Sequence, residues 1–174
     1  ALPISGVGAD WAGIGRGRAF GRRAAGRQSA MDFTGKIALV TGAGSGIGAA
    51  SAVRLAELGA EVAVVGHSMD SAAEVVEKIR TRGGVAEAFA AELGRPEEVA
   101  DLFDKVARRW NRLHVVVANA GVNGVWAPLE ELTPQEWSQT IEVNLTGTFL
   151  TVKYALPLLK AADGAAIVIT ASVN

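Results

Sequence analysis

Cysteine is absent from the 174 residues, and histidine occurs only at positions 67 and 114. Disulfides, thiolate zinc sites and cysteine nucleophiles are thereby excluded, and a histidine-rich metal centre is not expected. The net charge of −1 provides no basic footprint for nucleic acid. No apolar run reaches the roughly 18 residues of a membrane span, so no membrane partner is expected and the expected compartment is the cytoplasm. What remains is the composition of a globular domain: 49% of residues are hydrophobic and 20% charged. That length suits one domain and is short for two.

Charge is unevenly placed. Residues 1–30 hold Arg16, Arg18, Arg22, Arg23 and Arg27 against the single acid Asp10, with much Gly and Ala and no apolar periodicity. This stretch is expected to be disordered, either as an upstream extension or as an Arg-rich transit peptide. The domain is expected from Met31 to residue 174.

Glycine is abundant, and its placement is the strongest signal. In KIALVTGAGSGIG (36–48) an apolar run leads into Gly42, Gly44, Gly46 and Gly48, and a helical pattern follows. Strand, glycine turn and helix bring backbone N–H groups and the positive end of a helix dipole to a phosphate. The 42–46–48 spacing is not Gly-x-Gly-x-x-Gly, and no Lys-Ser/Thr pair makes it a Walker loop. A flexible glycine turn is the plainer alternative.

Short apolar runs at 36–41, 61–66, 85–90, 113–118 and 165–171 alternate with four helical segments. Continuous apolar strands of this kind suit a parallel sheet covered on both faces, so the expected fold is α/β, a doubly wound Rossmann-type sheet. The first helix is predicted over Gly46–Leu58 with Gly59 as its C-terminal cap. The second is predicted to follow Ser71, with Glu74 completing a capping box, and to stop at Gly83–Gly84. Pro96 opens the third. Thr133-Pro134-Gln135-Glu136 opens the fourth, which is predicted to run to Lys160 with a bend at Gly147 or Pro157.

In such sheets ligands sit at the carboxyl ends of the strands. The second strand ends in Gly66-His67-Ser68, where an NAD site usually places a carboxylate for the ribose 2′-OH. Its absence leaves room for a 2′-phosphate touched by His67 and Ser68, which tilts the expected cofactor from NAD toward NADP. An exposed loop is the alternative for His67. The fourth strand ends in Asn119-Ala120-Gly121, where small residues let the backbone run close to a ring and the amide can fix the loop. Asn144 lies in an otherwise apolar helical face, as a structural amide or as part of a water network. Ser172 follows the fifth strand.

Taken together, these residues resemble the short-chain dehydrogenase/reductase family over roughly 32–174. Thr41, Gly42, Gly44, Ser45, Gly46, Ile47 and Gly48 are similar to its cofactor loop, and Asn119-Ala120-Gly121 to its Asn-Asn-Ala-Gly element, with Ala118 in place of the first Asn. Glu92, with Leu93 beside it, stands where the family usually has an Asp near the adenine ring. Asn144 and Ser172 fall at two of the four catalytic positions. The resemblance implies that Ser172 hydrogen-bonds the substrate oxygen and that Asn144 fixes a water. It also implies a Tyr-x-x-x-Lys pair downstream of the serine. The only tyrosine, Tyr154, precedes Ser172, and position 158 is Leu; the chain is therefore expected to represent the N-terminal portion of such a protein.

The activity implied is NAD(P)-dependent interconversion of a small-molecule alcohol and carbonyl by hydride transfer, in a homodimer or homotetramer. Two alternatives stand beside it: a dinucleotide-binding module without catalysis, and a shortened product that folds poorly. Trp126 and Pro128 suggest one wall of a substrate pocket, although Trp126 has a packing role as its alternative.

Overall fold

The computed structural model describes residues 31–171. Among the described residues, five strands and five α-helices follow one another, alternating except that two helices separate β4 from β5. They are β1 (Ile37–Thr41), α1 (Gly46–Glu57), β2 (Glu61–Gly66), α2 (Met69–Arg80), β3 (Val85–Ala90), α3 (Pro96–Trp110), β4 (Val115–Ala118), α4 (Pro134–Ile141), α5 (Gly147–Lys160) and β5 (Ala166–Ile169). All strand pairings are parallel, in the order β3-β2-β1-β4-β5. The chain winds outward from β1 to β3 and then returns to the other side through β4. The order reverses between β1 and β4, which opens a crevice at their carboxyl ends.

Alternation along each strand divides the core into two layers. Ile37 and Leu39 of β1 face α3 and α5, joined by Val65, Phe89, Leu102, Val106 and Leu158. Ala38 and Val40 face α1 and α2, with Val62, Val64, Ala52, Val75 and Ile79. Both faces of β1 are therefore covered, and its burial is continuous. α3 shows the helical counterpart of this pattern. Val99, Leu102, Phe103, Val106 and Trp110 are buried on one stripe, while Pro96 supplies a first turn that needs no N–H. Tyr154 of α5 stacks on Phe103, its ring centroid 6.4 Å away, and serves the core.

Several boundaries differ from the sequence expectation. α2 starts at Met69 rather than after Ser71, because the Ser68 side chain accepts from the Ser71 N–H and is the N-cap. β4 begins at Val115, and His114 just before it accepts the Ile37 N–H on its ring Nδ1. β5 is limited to Ala166–Ile169. The predicted fourth helix is divided. α4 ends at Ile141, a π-helical turn occupies Glu142–Thr146, and α5 continues from Gly147. Pro157 lies inside α5 without ending it. The break thus lies before Gly147, and the capping box of Thr133 and Glu136 is formed at the start of α4.

Candidate functional site

The crevice between β1 and β4 is built around one buried hydroxyl and one amide. Thr41, at the end of β1, is 1% exposed, and its Oγ1 accepts from the Asn119 N–H (3.0 Å) and the Ala120 N–H (3.2 Å). The Asn119 Nδ2 donates to the Thr41 carbonyl at 3.2 Å, and Oδ1 accepts from the Thr170 hydroxyl at 3.1 Å. The Thr170 N–H in turn donates to the Ala118 carbonyl. Asn119 therefore ties together the ends of β1, β4 and β5. Its small neighbours Ala120 and Gly121 leave that junction open toward the crevice.

The four glycines of the first loop answer to different constraints. A Cβ on Gly48 would stand 2.2 Å from the Gly42 carbonyl oxygen and 2.6 Å from the Asn119 Nδ2. A Cβ on Gly42, whose φ is +61°, would meet the Ala120 Cα at 2.7 Å. Gly44 is confined by the Ser71 Oγ at 2.7 Å. Gly46 has φ +53° and nothing within 4 Å of a Cβ. Three glycines are thus fixed by packing within the protein, and the fourth faces open space at the start of α1. Ser45 precedes it in extended conformation, makes no side-chain cap, and no acid occupies the first turn. The first N–H groups of α1 consequently lack side-chain partners, and the dipole is uncompensated. Ile47 is exposed beside them. This is the donor set that a pyrophosphate requires.

At the other end of the crevice, the pairing of Gly66 with Ala90 brings the ends of β2 and β3 together. The Nδ1 of His67 lies against the Oε1 of Glu92. The Glu92 N–H donates to Glu98 at 2.8 Å, and Glu98 also holds Arg95. Leu93 is buried in the α3/α5 layer, where Gly147 packs against it. Ser68 is occupied as the cap of α2.

Asn144 sits in the π-helical turn. Its Oδ1 accepts from the Val122 N–H at 2.8 Å and its Nδ2 donates to the Val122 carbonyl at 2.9 Å. Its own carbonyl accepts from the Thr148 hydroxyl. The amide is thereby engaged as a structural clamp on the loop just beyond Gly121. Ser172 lies outside the described residues. The loop after Gly121 leaves Trp126 82% exposed, so Trp126 has no packing role among the described residues.

Thr170 and Val122 belong to this arrangement and were not singled out from the sequence, and Ser71 was read there only as a helix cap. Ser71 carried a detectable signal, since it follows Ser68 at the spacing of a cap and its target. Val122 carried none, because it contributes only backbone groups. A concavity of about 470 Å³ lies apart from the crevice, against β3 and α3, lined in part by Met69, Phe89, Leu102 and Arg108.

A glycine loop leading into an uncapped helix, beside the reversal of strand order, defines a Rossmann-type domain. Residues 36–174 match the family described as short chain dehydrogenase. The chain belongs to that family. It is 39% identical over 141 residues to a cyclohexanol dehydrogenase of Acinetobacter sp. (strain SE19), covering 81% of this chain and 56% of that protein. Among solved structures, a metagenomic short-chain oxidoreductase in complex with NADP is 34% identical with a TM-score of 0.78, covering 82% of this chain and 64% of the other. A 7α-hydroxysteroid dehydrogenase complexed with NADH and 7-oxo glycochenodeoxycholic acid is 29% identical with a TM-score of 0.76, covering 82% and 55%. The chain spans about half the length of the curated relatives it matches.

Proposed function

We propose that this chain forms the cofactor-binding part of an NAD(P)-dependent oxidoreductase that interconverts a small-molecule alcohol and a carbonyl. The observation carrying this reading is the open backbone at Gly46, set before a helix start that neither Ser45 nor an acid caps. The N–H groups of Gly46, Ile47 and Gly48 hold the pyrophosphate, while Thr41, Gly42, Gly44 and Ser45 shape the turn that presents them. Asn119, Ala120 and Gly121 form the floor along which a ring can lie closely. His67, Ser68, Glu92 and Leu93 surround the adenosine end. The nicotinamide ring supplies or takes up the hydride when bound.

Asn144 acts as a positioning residue, because both polar atoms of its amide hold Val122. Ser172 is assigned to hydrogen-bond the substrate oxygen because its resemblance to the family's serine implies that role. The absence of a carboxylate at Gly66 tilts the cofactor toward NADP. A cytoplasmic homodimer or homotetramer is the form this reading carries. Calorimetric titration with NADH and NADPH tests it: dissociation constants on the order of micromolar are expected. Undetectable binding of both would overturn it.

A further inference from the structure

β3 stands at one edge of the sheet and pairs only with β2, so half of its backbone groups point outward. The bond from the Ala91 N–H to the Gly66 carbonyl fixes which half. Successive residues of a strand turn their N–H and C=O to opposite sides. Val85, Glu87 and Phe89 therefore face β2, while Ala86, Ala88 and Ala90 face away from it. The Arg80 Nη2 donates to the Ala86 carbonyl at 3.0 Å and closes that end of the edge. Among the described residues, nothing bonds the outward N–H or C=O of Ala88 or Ala90.

These open groups border the concavity of about 470 Å³ between β3 and α3. Phe89 and Leu102, both buried, supply apolar floor, and Lys105, Arg108 and Arg109 of α3 line one side. The cations are not equally committed. Lys105 pairs with Asp101, and Arg109 with Glu61 and Glu87, the one acid in the lining. Arg108 is exposed and has no carboxylate within ion-pair distance among the described residues. Lys105 and Arg109 are one turn apart, about 6 Å along the helix, close to the roughly 6.8 Å between alternate residues of a strand. A row of positive charge thus runs beside unpaired backbone at the spacing an extended chain presents.

We propose that this edge binds an extended, acidic peptide segment of a partner protein, which adds to β3 as a further strand. The segment's backbone pairs with Ala88 and Ala90, and its carboxylates, on alternate residues, meet Arg108 and Lys105. The alanine side chains leave the approach to the backbone unobstructed. A second copy of this chain fits the edge poorly. Antiparallel pairing of two β3 strands would set both rows of α3 cations on one face of the joined sheet, where like charges repel. Binding here requires no cofactor, because none of these residues belongs to the crevice between β1 and β4.

Fluorescence anisotropy tests this with a labelled Glu-Thr-Glu-Thr-Glu-Thr peptide, titrated with the 174-residue chain in the absence of cofactor. A dissociation constant on the order of 100 micromolar is expected, rising with salt. Arg108→Glu is expected to weaken binding about tenfold. Ala88→Pro removes an outward N–H while leaving the β2 ladder complete, and is expected to weaken binding about fivefold or more. Circular dichroism verifies that both variants fold. Peptides with every second amide N-methylated, one in each register, put the same question to the unaltered protein. One register is expected to lose binding and the other to keep it, because a strand pairs through one of its two sides. Absence of binding up to about 1 mM protein, equal binding of a Lys-Thr peptide, or equal affinities of the two methylated peptides overturns the proposal. Self-association of the chain that Ala88→Pro abolishes also overturns it, by assigning the edge to a second copy.

Discussion

A methyl group on Gly48 would sit 2.2 Å from the Gly42 carbonyl oxygen, whereas one on Gly46 would meet nothing within 4 Å. The same substitution therefore separates packing from ligand contact at two residues of one loop. Gly48→Ala is expected to destabilise the fold by about 1–3 kcal/mol, since neither the carbonyl nor the Asn119 amide can withdraw. Gly46→Ala carries only the left-handed backbone cost of about 1–2 kcal/mol and leaves the fold assembled. It is nonetheless expected to abolish measurable NAD(P)H binding, because the new methyl occupies the approach to the α1 N–H groups. Urea unfolding and calorimetry on the two variants separate these outcomes.

His114 offers a second residue-level test. It is 7% exposed, and its Nδ1 accepts from the Ile37 N–H at 3.0 Å. Burial, chiefly, and the nearby Lys36 and Arg112 hold its pKa below the usual 6.5, against a smaller opposing pull from Asp163. The unfolded chain therefore binds this proton more readily than the native one. The stabilisation is fully present above the unfolded value and is lost as pH falls below it. Urea midpoints are expected to drop as the pH falls below about 6.5. In His114→Ala the midpoint is lower throughout and its acid dependence shallower.

At the scale of elements, regular periodicities were legible and irregular ones were not. β2 read directly from its β-branched, apolar run because both of its faces are covered. Thr133 and Glu136 announced α4 because a capping box is a local pattern. The π-helical turn at Glu142–Thr146 was not legible. One extra residue per turn shifts an apolar stripe by too little to detect against a helix with Gly147 and Pro157 in it. The pairing of His67 with Glu92 depends on strand register, and a sequence pattern shows candidates without showing which of them meet. Ser71 misled for a related reason, since Ser-x-x-Glu fits a capping box that Ser68 pre-empts.

The π-helical turn also has a testable consequence. It carries Asn144 to Val122, where two hydrogen bonds hold the start of the exposed 122–132 loop. Asn144→Ala is expected to lower stability by about 0.5–1.5 kcal/mol, because water can replace the lost partners of the exposed Val122 groups. Amide exchange at Val122 should accelerate while Leu39 remains protected.

Across the whole of the described sheet, the strands are not equally covered. β1 is sealed from both sides, and Leu39→Ala is expected to cost about 2–5 kcal/mol in urea unfolding through the cavity it leaves. β5 is the opposite case: Ile167, Val168 and Ile169 are 38%, 53% and 53% exposed. An apolar strand at the sheet edge invites pairing with another chain. Light scattering by the 174-residue protein is expected to rise with concentration, and Val168→Lys is expected to suppress that rise.

The Asn119 junction sets limits on how this architecture can be rearranged. Gly42 and Gly48 are dictated by the backbone of Ala120 and the amide of Asn119, contributed by a loop far along the chain. The phosphate loop is thus half of an interlocking pair, not a portable cassette. Grafted alone onto another sheet, it would lose the walls that define its shape. Transplanting it successfully would mean moving Thr41, Asn119 and Ala120 as one unit, and directed evolution of either loop should find its permissive changes only in matched pairs.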